Sequence, residues 1–484
     1  MAGFSGVIKL QDLDDFIQPS QECIKPVIIE KSTTSAKTKI EIDNDGSYVE
    51  VDRIGNKKKL KTAAITLNDC LACSGCVTSA ESVLIEQQSH HELSKSIQAK
   101  KDSTSKIQTI VVSVSPQSRA SLALNYGLSL RNAAEILHQV LCSKGIDYVF
   151  DTTASRNLSL IMTGKEFVDT LSCSDSASTS RQLPVISSAC PGWICYAEKT
   201  HGSWALNHIS RVRSPQAVMG SIVKDYLAKQ LDISPDTIYH AAVMPCFDKK
   251  LEASRADFFV PGTTLRQTDC VISTAELQLF LDNDVGADIA ATQNLPFTKF
   301  KYLCGLNPLT DQLTNHSGGG AGGYADFVFK YAAKHVYGQT LENVSFKTLR
   351  NKDYSETRLE DSSGQVMLSV AKVYGFRNIQ NVVQKLKRAK CAHQFIEIMA
   401  CPSGCLNGGG QIRSTSMEQN DLLSAVTSLY NDATDVVLPE TDEATRTLIN
   451  DWLDGDLNSN KAVQCLLTDY HEVEKSDFSL NIKW

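Results

Sequence analysis

The stretch Phe395-Ile396-Glu397-Ile398-Met399-Ala400-Cys401-Pro402-Ser403-Gly404-Cys405 runs from a short apolar segment straight into a loop that carries two cysteines. A brief apolar run of this kind, bounded by Pro and Gly, reads as a buried strand. Two other places repeat the pattern: Pro184–Ser188 leads into Cys190-Pro191-Gly192-Trp193, and Ile238–Met244 leads into Pro245-Cys246-Phe247-Asp248-Lys249. A fourth run, Asp269–Ser273, has no such loop behind it. Helical spacing recurs between strand-like segments, as in Arg131–Cys142, which lies between Ile107–Val114 and Tyr148–Phe150. Strands alternating with helices predict βαβ units, an α/β chain with largely parallel sheets. Ligands of such sheets gather beyond the carboxyl ends of the strands. The three cysteine loops are therefore expected to converge, although Cys190 and Cys405 are 215 positions apart.

Length and composition bound the rest. At 484 residues the chain exceeds what one core sustains, so more than one domain is expected. Hydrophobic residues make up 42% and charged residues 21%, ordinary globular usage. The net charge of -7 offers no excess of cations for phosphates and argues against nucleic acid as a direct ligand. No apolar run approaches the roughly 18 residues of a membrane helix. Asp12, Asp14 and Asp15 stand where a signal peptide would be basic and then apolar. The expected location is the cytosol, with the nucleus open. Fifteen cysteines are too few for a disulfide scaffold of this length, so clustered cysteines should mean metal.

Cys70-x2-Cys73-x2-Cys76 places three thiolates on one loop, the spacing by which bacterial-type ferredoxins hold three irons of a cubane. Their fourth cysteine would fall at Ala80, and no proline follows, so the fourth ligand must come from elsewhere. Cys23 is the one cysteine upstream, and the intervening chain is long enough to fold back. Its bland alternative is a small buried residue. Zinc competes as the metal, but structural zinc sites usually pair two two-cysteine knuckles. The second set of four is Cys190, Cys246, Cys401 and Cys405. Cys142, Cys173, Cys195, Cys270, Cys304, Cys391 and Cys465 lack that context and read as core filler. No Gly-x-Ser-x-Gly elbow or triad is visible, and His90-His91 reads as solvated surface. Lys249 either neutralises cluster charge or is an ordinary surface lysine. Gly318–Gly323 and Gly408–Gly410 are tight-turn segments that match no phosphate-binding loop. The expected organisation is a cluster-binding segment over 1–86, a polar linker over 87–106, an α/β domain over 107–465 and a tail over 466–484.

Taken with Ser187-Ser188-Ala189-Cys190-Pro191-Gly192-Trp193, Met244-Pro245-Cys246-Phe247-Asp248-Lys249-Lys250-Leu251-Glu252 and Phe395 to Gly410, these loops resemble the three signature loops of iron-only hydrogenases. Asp14-Asp15-Phe16-Ile17, Pro19-Ser20-Gln21-Glu22-Cys23-Ile24-Lys25-Pro26 and Asn68 to Cys76 narrow the resemblance. They point to the eukaryotic hydrogenase-like, nuclear prelamin A recognition factor-like family of cytosolic iron–sulfur assembly factors.

That resemblance implies an iron-only hydrogenase-like α/β fold with two parallel-sheet lobes and a small ferredoxin-like N-terminal segment. It implies two [4Fe-4S] clusters, one on Cys23, Cys70, Cys73 and Cys76, the other on Cys190, Cys246, Cys401 and Cys405. It also implies a link between an early scaffold and the late targeting complex of cytosolic cluster assembly. Hydrogenases carry two adjacent cysteines in the first loop, the earlier relaying protons, and here that position is Ala189. A methyl group has no exchangeable proton, so a non-enzymatic role is expected. A hydrogenase-type redox enzyme and an electron-transfer protein are the alternatives. The chain ends in Ile482-Lys483-Trp484, and the family implies docking on the targeting complex through the terminal aromatic, although Lys483 departs from its acidic or small-polar pattern.

Overall fold

A computed structural model describes residues 39–42, 48–51, 57–59, 87–102, 105–172, 182–288, 300–307, 310–315, 318–414, 416–432 and 435–472. Cys23, Cys70, Cys73, Cys76 and Trp484 lie outside the described residues. The strands in chain order begin with β1 (Lys39–Ile42), β2 (Tyr48–Val51) and β3 (Lys57–Lys59), an antiparallel ribbon where the alternating Lys-Ile-Glu-Ile pattern predicts one. Next come β4 (Thr109–Val114), β5 (Tyr148–Asp151), β6 (Val185–Ser187), β7 (Ile238–Met244), β8 (Cys270–Ser273) and β9 (Thr314–Asn315). The last are β10 (Lys347–Asn351), β11 (Tyr354–Glu360), β12 (Val366–Tyr374), β13 (Phe395–Met399) and β14 (Asp435–Val436).

Two sheets carry the α/β body. The first has the order β5-β4-β7-β8 and is wholly parallel. All six residues of β4 are buried, as expected of a strand covered by helices on both faces. Because β4 connects outward to β5 while β7 connects outward to β8, the order reverses between β4 and β7. The loop after β7, with Cys246, opens at that switch point, where ligands of such sheets bind. The second sheet has the order β10-β11-β12-β13-β6. It is mixed: β12, β13 and β6 are parallel, but β10, β11 and β12 form an antiparallel meander. The expectation of largely parallel sheets holds for the first sheet and for β12, β13 and β6, while the β10–β12 meander adds an antiparallel edge that the sequence did not announce. Hairpin connections are too short for a parallel crossover, so the meander must be antiparallel.

Helices enter through local signals. Ser115, Ser129 and Ser214 cap the helices Pro116–Asn125, Leu130–Ser143 and Pro215–Ser221 by accepting the N–H of Ser118, Asn132 and Ala217. Pro116 and Pro215 stand at the first turn, where no N–H is needed.

Two boundary expectations are corrected. Residues 87–106 are not a linker: His90–Lys101 is a helix whose Leu93 and Ile97 pack in the core beside β4 and β8, and Gln88 donates to the Lys250 carbonyl. The tail does not begin at 466, because the helix Asn460–Leu466 includes that residue and residues 467–472 lie across the body. There the Thr468 N–H bonds the Arg211 carbonyl, Arg211 pairs with Asp469 at 2.8 Å, and the His471 N–H reaches Glu198. Among the described residues no helix is long and apolar enough to cross a membrane.

Candidate metal centre

The loops after β6, β7 and β13 meet. Cys190 caps the helix Pro191–Ala205, with Pro191 in its first turn. The Trp193 and Ala400 amides oppose the rise that burial gives its thiol pKa. Ser188 joins the β6 loop to β13, donating to the Ile398 carbonyl at 2.5 Å and accepting the Cys190 N–H at 3.2 Å. Cys246 is brought against the Cys405 loop by glycine. The Gly410 N–H bonds the Pro245 carbonyl at 2.8 Å. A Cβ on Gly408 would lie 2.2 Å from the Pro245 oxygen, an approach only glycine allows. Gly404 adopts φ +80°, and a Cβ there would meet Ala321 at 2.9 Å.

Cys190 is buried, and Cys246, Cys401 and Cys405 are half-buried. Burial is the first cause that raises their pKa values: that of Cys405 is pushed up to about 12, and those of Cys246 and Cys401 well above the ordinary thiol range. Nearby negative charge adds to it: Asp248 comes next at Cys190 and Cys246, Cys190 and Cys405 also act on Cys246, and all three partners act on Cys401. Four thiols held protonated by burial give up their protons only to a cation that compensates the charge. An all-sulfur donor set suits soft metals and iron–sulfur clusters rather than hard cations.

Among the described residues no three His, Cys, Asp or Glu side chains are close enough to hold a single metal ion. The chemistry of the four-cysteine donor set fits an iron–sulfur cluster.

The surroundings are charged and tightly paired. Lys249, 7% exposed, donates to Glu252 at 2.6 Å and to Ser214 at 3.0 Å, and its field opposes the rise at Cys190, Cys246 and Cys405. It is no surface lysine. Asp248 is buried beside the thiols and raises Cys190, Cys246 and Cys401. A Cβ on Gly192 would lie 2.8 Å from its carboxylate. Ala189 and Cys190 line a small cavity with Ser214, Glu252, Arg255 and Tyr470. Sequence reading missed three of these contributions. Asp248 stood in the quoted motif without a role, and Ser214 is paired with Glu252 from 38 positions away, which no local pattern reveals. Gly318–Gly323 packs on the Cys405 loop, since a Cβ on Gly320 would lie 2.3 Å from Leu406.

Comparison with known proteins agrees with this geometry. Residues 108–409 match the family model of the iron only hydrogenase large subunit, C-terminal domain. An apo [FeFe]-hydrogenase from Chlamydomonas reinhardtii superposes with a TM-score of 0.67 at 26% identity, covering 80% of this chain and 99% of that one. A hydrogenase structure describing stepwise H-cluster assembly gives 0.66 at 26% identity over the same shares. Fold and loops thus define an iron-only hydrogenase-like protein.

Over its whole length the chain is 49% identical to the cytosolic Fe-S cluster assembly factor of Xenopus tropicalis, covering 100% of both. It is also 49% identical to cytosolic iron-sulfur assembly component 3 of Bos taurus, covering 99% of both. The chain belongs to the eukaryotic, hydrogenase-like family of cytosolic iron–sulfur cluster assembly factors.

Proposed function

We propose that this chain carries two [4Fe-4S] clusters and serves, without catalysing a reaction, in cytosolic iron–sulfur protein assembly between an early scaffold and the late targeting complex. The names of its full-length relatives support the pathway. The convergence of Cys190, Cys246, Cys401 and Cys405 is the observation that carries the reading. Cys23, Cys70, Cys73 and Cys76 are proposed for the other cluster on their spacing and the family resemblance. A bound [4Fe-4S] cluster supplies an electron-storing inorganic core. The chain's own residues hold it: four thiolates bind, the Trp193 and Ala400 amides stabilise negative sulfur at Cys190, and Lys249 offsets part of the charge.

Ala189 supports the non-enzymatic reading. It lines the cavity beside Cys190, where it can neither donate nor accept a proton. The test is anaerobic analysis of the purified protein for iron, sulfide and zinc, with a hydrogen-evolution assay using a reduced dye. Two cubanes give about eight irons and eight sulfides per chain. Stoichiometric zinc, or sustained hydrogen evolution, would overturn the proposal.

Docking on the targeting complex is proposed to run through Trp484, an aromatic anchor of the kind that dominates binding at small interfaces. Deleting Trp484 should leave iron content and melting temperature unchanged and weaken capture of that complex at least tenfold. A lower melting temperature with capture intact would assign Trp484 to the core instead.

A further inference from the structure

One face of the second sheet carries positive charge against the balance of the molecule. The net charge is -7, and residues 418–456 contain ten acidic side chains and one basic one. Residues 376–390 are the reverse, with Arg377, Lys385, Lys387, Arg388 and Lys390 and no acid. All five are exposed along or just beyond the helix Phe376–Lys387, whose other side buries Ile379, Val382 and Val383.

Beside this helix lies β10, the edge of the sheet, with Lys347 and Arg350, followed by Lys352 in its turn. Every residue of β10 is exposed, and only β11 pairs with it. Paired amides of Asn351 and Asn378, at 3.0 and 3.2 Å, lock strand and helix into one surface. Among the described residues Lys347, Arg350, Lys352, Arg377, Arg388 and Lys390 enter no ion pair. Lys387 lies over the Trp204 ring at 5.6 Å and Lys385 over Tyr354 at 5.3 Å, so aromatic surface is interleaved with the cations.

An edge strand set with lysine and arginine repels basic strands and makes an apolar partner desolvate its charges, which is how sheets avoid random pairing. The same edge admits an acidic strand, because the repulsion becomes attraction while the free N–H and C=O groups stay available. The surface also touches the candidate metal centre. Asp353, in the β10–β11 turn, accepts the Ser403 N–H at 2.7 Å, and Gly375, at the head of the helix, packs on Pro402. We propose that this strand-and-helix face is a docking surface for an acidic protein segment that adds to β10 in extended form, beside the Cys401–Cys405 loop. It goes beyond the cluster-assembly role and stands or falls without it.

The test uses the full chain. The probe is a labelled twelve-residue peptide of alternating Glu and Val, followed by fluorescence anisotropy at low and physiological salt, with a twelve-base-pair duplex as the competing polyanion. The peptide should bind with a steep salt dependence and slow amide exchange over residues 347–351. Lys347→Glu/Arg350→Glu and Arg377→Glu/Arg388→Glu should each weaken it at least tenfold, with melting temperature unchanged because the side chains are solvated. Lys95→Glu/Lys334→Glu, reversing as many charges on other surfaces, should change it less than twofold. Equal loss in that control, binding without protection of 347–351, or tighter binding of the duplex would each overturn the proposal.

Discussion

His240 lies in the middle of β7 with no exposed surface, its ring held between Ser113 Oγ at 2.9 Å and the Gln267 carbonyl at 3.0 Å. Burial, reinforced by Lys224, lowers its pKa to about 4 against the pull of that carbonyl. An unfolded histidine titrates near 6.5, so the unfolded chain takes up a proton first as the pH falls. The folded pKa is the depressed one. The contribution is therefore fully present above pH 6.5 and is lost as pH falls towards 4, by about 2 kcal/mol at pH 5. His240→Asn should be less stable at pH 7.5, yet lose about 2 kcal/mol less than the native chain between pH 7.5 and 5 in denaturant titrations. Equal slopes would place the acid sensitivity elsewhere. A second residue-scale prediction separates strain from collision. At Gly364, φ is +82° and a Cβ would meet nothing within 4 Å, so Gly364→Ala should cost about 1 kcal/mol with iron content unchanged. Gly408→Ala drives a Cβ into the Pro245 carbonyl and must part the Cys405 loop from the Cys246 loop. Metal analysis should find it short of about one cluster's iron; full iron would show that the loops have slack.

At the scale of elements, what could be read in the sequence was whatever is local. A buried strand followed at once by Cys-Pro or Pro-Cys announces itself: Ile238–Met244 and Phe395–Met399 were expected with the bounds they have. Their convergence followed from where parallel strands put their carboxyl ends. The helix His90–Lys101 was hidden by composition, because only Leu93 and Ile97 are buried in a segment otherwise rich in Ser, Lys and Gln. Two apolar positions four apart make one contact stripe, too little to stand out beside a polar background. The network of Lys249, Glu252 and Ser214 was illegible because tertiary packing, not sequence order, makes it. The helix carries its own test. Leu93 has no exposed surface, so Leu93→Ala should cost about 2–5 kcal/mol in a denaturant titration. A true linker would show no loss.

At the scale of the molecule, the two sheets meet at the four cysteines. Cys246 comes from the switch point of the first sheet, while Cys190, Cys401 and Cys405 come from adjacent strands of the second. A cluster on these four would tie the sheets together at one point, and its binding energy would count as folding energy of the body. Among the described residues the N-terminal strands pair only with each other, as a ribbon of three. A cluster on Cys23, Cys70, Cys73 and Cys76 would then order a peripheral segment and leave the core largely untouched. Cys246→Ala or Cys405→Ala should lower soluble yield and melting temperature more than Cys73→Ala, with each variant retaining about four irons. The comparison is best made anaerobically, with iron measured on the same samples as the melts, so that cluster loss and unfolding are kept apart. Equal effects, or a larger one at Cys73, would show that the N-terminal site shares the core's cooperativity and that the two sites do not belong to separate units.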